Sequence, residues 1–205
     1  MSDIAKAHAV EAANRLFRAY ERHCLKPGPD ALFDTLNAMH SLNDRLKKAA
    51  GDDFHKIEEF IALKALRNLT HHAEEVRANV RVVPAPGFSD LAILCVVRRD
   101  QVERAIASTD TKWRESTKAA CEGALHWYGP AVNINPCLFN FMVRAFEMLE
   151  EVGVTPTDEA YETFRASYLF EAENGHSHLI DGRITGRAAD IESILSSVVG
   201  DLPEP

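Results

Sequence analysis

Three common catalytic signatures are missing from this chain. It has no Gly-rich phosphate loop, no Gly-x-Ser-x-Gly elbow and no His-Glu-x-x-His zinc motif. That excludes the commonest NTPase, hydrolase and zinc-peptidase chemistries. No apolar run approaches the length of a transmembrane helix, so no membrane partner is expected. The N-terminal stretch MSDIAKAHAVEAANRLF is polar, with no basic region leading into an apolar core, so no secretion signal is expected. Cys24, Cys95, Cys121 and Cys137 form no Cys-x-x-Cys pair and sit in apolar surroundings. They are expected to be reduced, buried thiols of a cytoplasmic protein. The chain also lacks a positive excess. Its net charge of −8 argues against sequence-blind binding to nucleic acid, although a local basic cleft remains open to it.

What is present is helical punctuation. The 205 residues suffice for one substantial domain or two small ones, and an apolar share of 46% suits a packed soluble core. A first helix is expected over 3–24, with Leu16, Phe17 and Tyr20 on its apolar face and Arg15, Arg18 and Arg22 opposite. Lys26-Pro-Gly-Pro-Asp30 breaks the chain, and Asp30 is a candidate cap for a second helix to about Ala50. Leu32, Leu36, Met39, Leu42 and Leu46 give that helix its stripe. Gly51-Asp52-Asp53 then leads into a third helix over 54–81, so the second and third helices form a long antiparallel hairpin.

Pro84-Ala-Pro-Gly87 is the best internal boundary. The apolar run Leu91–Val97 fits a buried strand or a helix. A helix over 89–107, capped by Ser89, is preferred because Val102, Ala105 and Ile106 continue the period. Further helices are expected over 111–128, 135–153, 155–175 and 185–199. The fold class is therefore all-α, a bundle of about seven helices around a central hairpin. Residues 1–83 form a core bundle and 88–205 a helical part packed on it, or the whole is one domain.

The segment 54–81 also holds the densest group of basic and imidazole side chains: Lys64, Arg67, His71, His72, Arg77 and Arg81. Within it runs Arg67-Asn68-Leu69-Thr70-His71-His72. Arg18 and His23 share the Arg-x4-His spacing, but only Arg67 is followed directly by a polar amide. LRNLTHH, late in an amphipathic helix, resembles the Arg-x4-6-His signature of the HEPN superfamily, helical bundles that include many metal-independent ribonucleases of toxin and defence systems. The resemblance covers the N-terminal 80 to 130 residues at most and is specific only in the motif.

The resemblance implies an endoribonuclease without cofactor or metal. His72 would be the general base or acid, Arg67 the phosphate clamp, Asn68 an orienting group, and His71 and Lys64 auxiliaries. It further implies a homodimer with both motifs in one cleft, RNA as substrate, and an antitoxin or other protein partner. The chemistry suits the residues, since imidazole titrates near neutral pH and guanidinium grips phosphate with two parallel hydrogen bonds. Geometry adds a condition. Arg67 and His72 lie roughly 140° apart on a straight helix, with His72 on the side of Phe54, Ile61, Ala65 and Val76. A helix boundary or a two-fold interface must therefore bring them together. The alternative is a non-catalytic all-α interaction module, with His72 buried and Arg67 in a surface ion pair.

Other clusters carry less. His176, His178 and Asp181 have ligand chemistry but lack a distant fourth ligand, so no metal is expected there. The Glu58-Glu59, Glu74-Glu75 and Glu150-Glu151 pairs diverge by about 100° on a helix and read as solvated faces. Trp113 and Trp127 lie in helical stripes and are expected in the core.

Overall fold

The computed structural model of the chain describes residues 3–73, 76, 78–84 and 91–182. The described residues are mostly helical and contain seven α-helices: α1 (Asp3–Leu25), α2 (Pro29–Ala50), α3 (Glu58–His72), α4 (Arg99–Ser108), α5 (Thr111–Ala124), α6 (Asn135–Glu151) and α7 (Glu159–Glu173). They also contain a small antiparallel sheet of β1 (Asn79–Pro84), β2 (Leu91–Arg98), β3 (His126–Tyr128) and β4 (Ala131–Asn133), in the order β1-β2-β4-β3. The helix expected over 185–199 lies outside the described residues, as does Ser89.

α2 shows how the sequence sets its limits. Pro29 opens it with a preset φ and no amide to satisfy, and Gly28 rather than Asp30 stands at the cap. Leu32, Leu36, Met39, Leu42 and Leu46 recur every three or four residues and are buried. Gly51 stops the helix in the left-handed region (φ 77°), where its amide donates to the Lys47 carbonyl. α2 packs most extensively on α1 and meets α3 over a narrower strip.

The sheet is the main departure from the sequence expectation. Residues 91–98 are a strand, and α4 begins only at Arg99. Leu94, Cys95, Val96 and Val97 are all buried, so both faces of β2 are covered. A run covered on both faces has no helical or strand period to read, and its β-branched valines favour the extended form. β1 pairs with β2 from Asn79↔Val96 to Pro84↔Leu91, which replaces the end of the helix expected over 54–81. The helix expected over 111–128 likewise ends at Ala124 and turns into the β3–β4 hairpin, whose bend places Gly129 at φ 58°.

One apolar cluster draws on residues from both sides of the Pro84–Gly87 stretch, from Ala9 to Tyr161. Phe54 and Phe141 meet edge-to-face at 5.2 Å, so the single turn of 3₁₀ helix before α3 packs on α6. Phe17 meets Tyr161 at 5.1 Å, joining α1 to α7. Two buried amides fasten the rest. Asn14 accepts from the backbone N–H of Thr157 (3.0 Å) and Asp158 (3.3 Å). Asn133 accepts from the N–H of Cys95 (3.0 Å) and Asn135 (3.2 Å), locking β2 and β4 to the start of α6. Cys95, Cys121 and Cys137 are buried free thiols, whereas Cys24 is partly exposed. Burial pushes the Cys95 and Cys121 thiols up to about 12.

Candidate functional site

The polar face of α3 meets α2 across a seam. Lys64, Arg67 and Asn68 lie on that face and are partly buried. Arg67 donates from Nε to Asn37 Oδ1 on α2 (3.1 Å) and from Nη1 to Asn68 Oδ1 (3.3 Å). Its guanidinium is thus oriented from both helices, and its Nη2 makes no hydrogen bond among the described residues.

Lys64 belongs to a second chain of contacts. Its Nζ lies 2.9 Å from His55 Nε2, and His55 Nδ1 lies 3.1 Å from Asp53 Oδ1. An imidazole that accepts from an ammonium at Nε2 carries its proton at Nδ1, facing the carboxylate. Asp53 in turn pairs with Lys47 at 3.4 Å. Burial pushes the Asp53 carboxyl up, but the His55 amide and ring, with Lys47, outweigh it and hold it below its ordinary value. Burial, with help from Arg67 and Lys47, lowers the Lys64 ammonium against the pull of Asp44 and Asp53.

His40 completes the seam from α2. Its Nδ1 stands 3.7 Å from Asp44 Oδ2, an ion-pair distance too long for a hydrogen bond. Burial first, then Arg67, holds its pKa below the usual imidazole value; Lys64 and His55 act in the same direction and Asp44 opposes them.

The motif is therefore divided. Lys64, Arg67 and Asn68 face the seam. His71 and His72 stand in the last turn of α3, both exposed, with ring centroids 4.7 Å apart. Neither hydrogen-bonds to Arg67 among the described residues. His72 is not on the buried side as its helical position suggested. Leu69 is the last buried residue of α3, and the helix ends at His72 beyond the edge of the core.

His40, His55 and Asn37 are site residues that the sequence reading missed. The signal for the first is its i,i+3 relation to Asn37 and i,i+4 relation to Asp44, along the flank of the apolar stripe of α2. His55 had none, because only the fold carries the 3₁₀ turn over Lys64.

The C-terminal histidines form a different arrangement. His178 stacks on Tyr168 (3.7 Å, 13°) and its Nδ1 meets Glu171 Oε2 at 2.8 Å. His176 is exposed, and no group of three or more metal-ligating side chains occurs among the described residues. Trp113 is 57% exposed and not in the core, while Trp127 is half-buried beneath Arg99, 5.3 Å away. No described helix is long and apolar enough to cross a membrane. No protein-family model, curated protein or solved structure matches the chain.

Proposed function

We propose that this chain is a metal-independent endoribonuclease of the HEPN type, with Arg67 as phosphate clamp and His72 as general base or acid. The observation that carries this reading is the state of the motif at the end of α3. Arg67 is fixed from two helices with Nη2 making no hydrogen bond among the described residues, and His71 and His72 stand exposed one turn further on. A fixed guanidinium meets the phosphate without first losing its own rotamer freedom, and it stabilises charge that grows in the transition state. An exposed imidazole exchanges protons with solvent between turnovers.

In this reading the α2–α3 pair is the central hairpin of the unit, and a second protomer brings its own His72 to Arg67 across a two-fold axis. The ribose 2′-OH loses its proton to the imidazole and attacks the adjacent phosphorus. The 5′-oxygen of the next nucleotide leaves and takes up a proton, and a cyclic phosphate end remains. Asn68 orients Arg67, His71 assists His72, and Lys64 supports the phosphate. A protein antitoxin partner fits the toxin or defence setting that the resemblance implies. The reading is tested on purified protein and a defined RNA in excess chelator. It expects 2′,3′-cyclic phosphate ends; no cleavage, or cleavage only with added metal, contradicts it.

A second reading has its own observation. Arg67 joins α3 to α2 through Asn37, which is also what a structural arginine in a non-catalytic interaction module does.

A further inference from the structure

A cavity of about 330 Å³ lies between α1, α6 and α7, and no residue of α3 lines it. Its walls are largely aromatic. Phe164 on α7 meets Phe17 and Tyr20 on α1 edge-on, at 5.3 and 6.3 Å, and Tyr168 continues the wall one turn further along α7. This size and lining are those of a site for a small organic molecule. The polar groups set the sign of its charge. The ionised side chains in the lining are two carboxylates, Glu21 and Glu171, and among the described residues no lysine or arginine lines the cavity. The neighbouring guanidinium groups are engaged elsewhere: Arg18 with Asp158 (3.3 Å), Arg22 with Asp34 (2.6 Å) and Arg165 with Glu162 (3.8 Å). Glu21 makes no ion pair among the described residues. Glu171 meets His178 Nδ1 through Oε2 (2.8 Å), which leaves its Oε1 without a hydrogen bond among the same residues.

We propose that this cavity binds a small organic cation, an amine or quaternary ammonium group carrying an apolar body. The aromatic rings take the body out of water, and their π-faces attract a cationic head. Glu21 and Glu171 supply the counter-charge, which acts more strongly beside apolar walls than on an open surface. An anion of the same shape meets two carboxylates and no cation, so the cavity discriminates by charge. The net charge of −8 on the whole chain favours the approach of the same ligand class. The site does not rest on the ribonuclease reading, because it shares no residue with the motif of α3.

The test titrates the full chain with benzyltrimethylammonium, with its neutral isostere neopentylbenzene and with benzenesulfonate, by calorimetry. Nuclear Overhauser contacts locate the bound ligand. The site predicts that the cation binds more tightly than the neutral isostere and the sulfonate does not bind, with contacts from the cation to the Tyr20 and Phe164 rings. Glu21→Gln is expected to weaken the cation about fivefold and leave the neutral isostere unchanged. Ser167→Trp, placed on an exposed lining position, is expected to fill the cavity and remove both. Circular dichroism establishes that each variant is folded, and Thr163→Trp, one turn earlier on the same face, replaces Ser167→Trp if that variant is not. Absence of cation binding, equal binding of all three probes, a cation that ignores Glu21→Gln, or contacts away from Tyr20 and Phe164 each overturn the site. None of these results bears on RNA cleavage.

Discussion

Arg67 reaches from α3 to α2 and donates from Nε to Asn37 Oδ1 at 3.1 Å. This bond fixes the guanidinium at the mouth of the seam and links two helices that touch over a narrow strip. Replacing Asn37 with Ala is expected to cost about 1–2 kcal/mol, the low end for a hydrogen bond to a charged donor because the bond is only partly buried. If Arg67 clamps phosphate, Asn37→Ala also lowers cleavage, because the guanidinium loses its preset orientation. Urea denaturation and a cleavage assay on one preparation check both. Lost stability with unchanged cleavage would make Arg67 a structural residue.

Asn133 is the more costly amide. It is 2% exposed and satisfies the amides of Cys95 and Asn135. Asn133→Ala removes the acceptor and leaves two N–H groups at a buried junction. The expected loss is about 2–4 kcal/mol in chemical denaturation. A loss under half a kcal/mol would mean that water or backbone movement serves those amides.

His23 predicts a pH dependence. It is 1% exposed, and neither ring nitrogen has a hydrogen-bond partner among the described residues. Burial pushes its pKa below the usual value, so the folded chain resists a proton that the unfolded chain accepts at about pH 6.5. Stability is then flat above that pH and falls as pH drops through the window down to the lowered folded value. His40 has the same sign, from burial and then Arg67. His23→Leu keeps the side-chain volume and is expected to make the fall shallower without abolishing it. Thermal melts across this range check the slope; an unchanged slope would assign the dependence to other groups.

The helices were legible where proline and glycine mark them. Pro29 and Gly51 bound α2, and Gly153 follows α6, all at the places the sequence suggests. β2 was not legible, because Leu94–Val97 is buried on both faces and such a run shows no period. β3 and β4, three residues each, are too short to interrupt a helical pattern. Trp113 fits the stripe of α5, yet the first turn of that helix extends past the core, as α3 does at His72. Half of the site was legible in the same sense. Lys64, Arg67 and Asn68 are neighbours on one helix, while His40 and His55 join them only through tertiary packing.

Assembly gives a further expectation. The proposed chemistry needs His72 and Arg67 in one cleft, and within a single chain His72 is exposed at the end of α3 with no hydrogen bond to Arg67 among the described residues. The account therefore predicts a homodimer around α3 at micromolar concentration in sedimentation, with His72→Ala and Arg67→Ala complementing each other in mixed dimers. A monomer at that concentration contradicts it.

The most direct measurement is cleavage of a defined RNA in chelator by the wild type, His72→Ala and Arg67→Ala, each with its thermal melt. The account predicts that His72→Ala melts close to the wild type, since His72 is exposed, and that Arg67→Ala stays folded with a loss of about 1–2 kcal/mol from its bond to Asn37. Both are expected to lose cleavage, by roughly 3 kcal/mol or more of transition-state stabilisation for the clamp. His72→Ala that cleaves like the wild type, or a wild type that cleaves nothing, would contradict it.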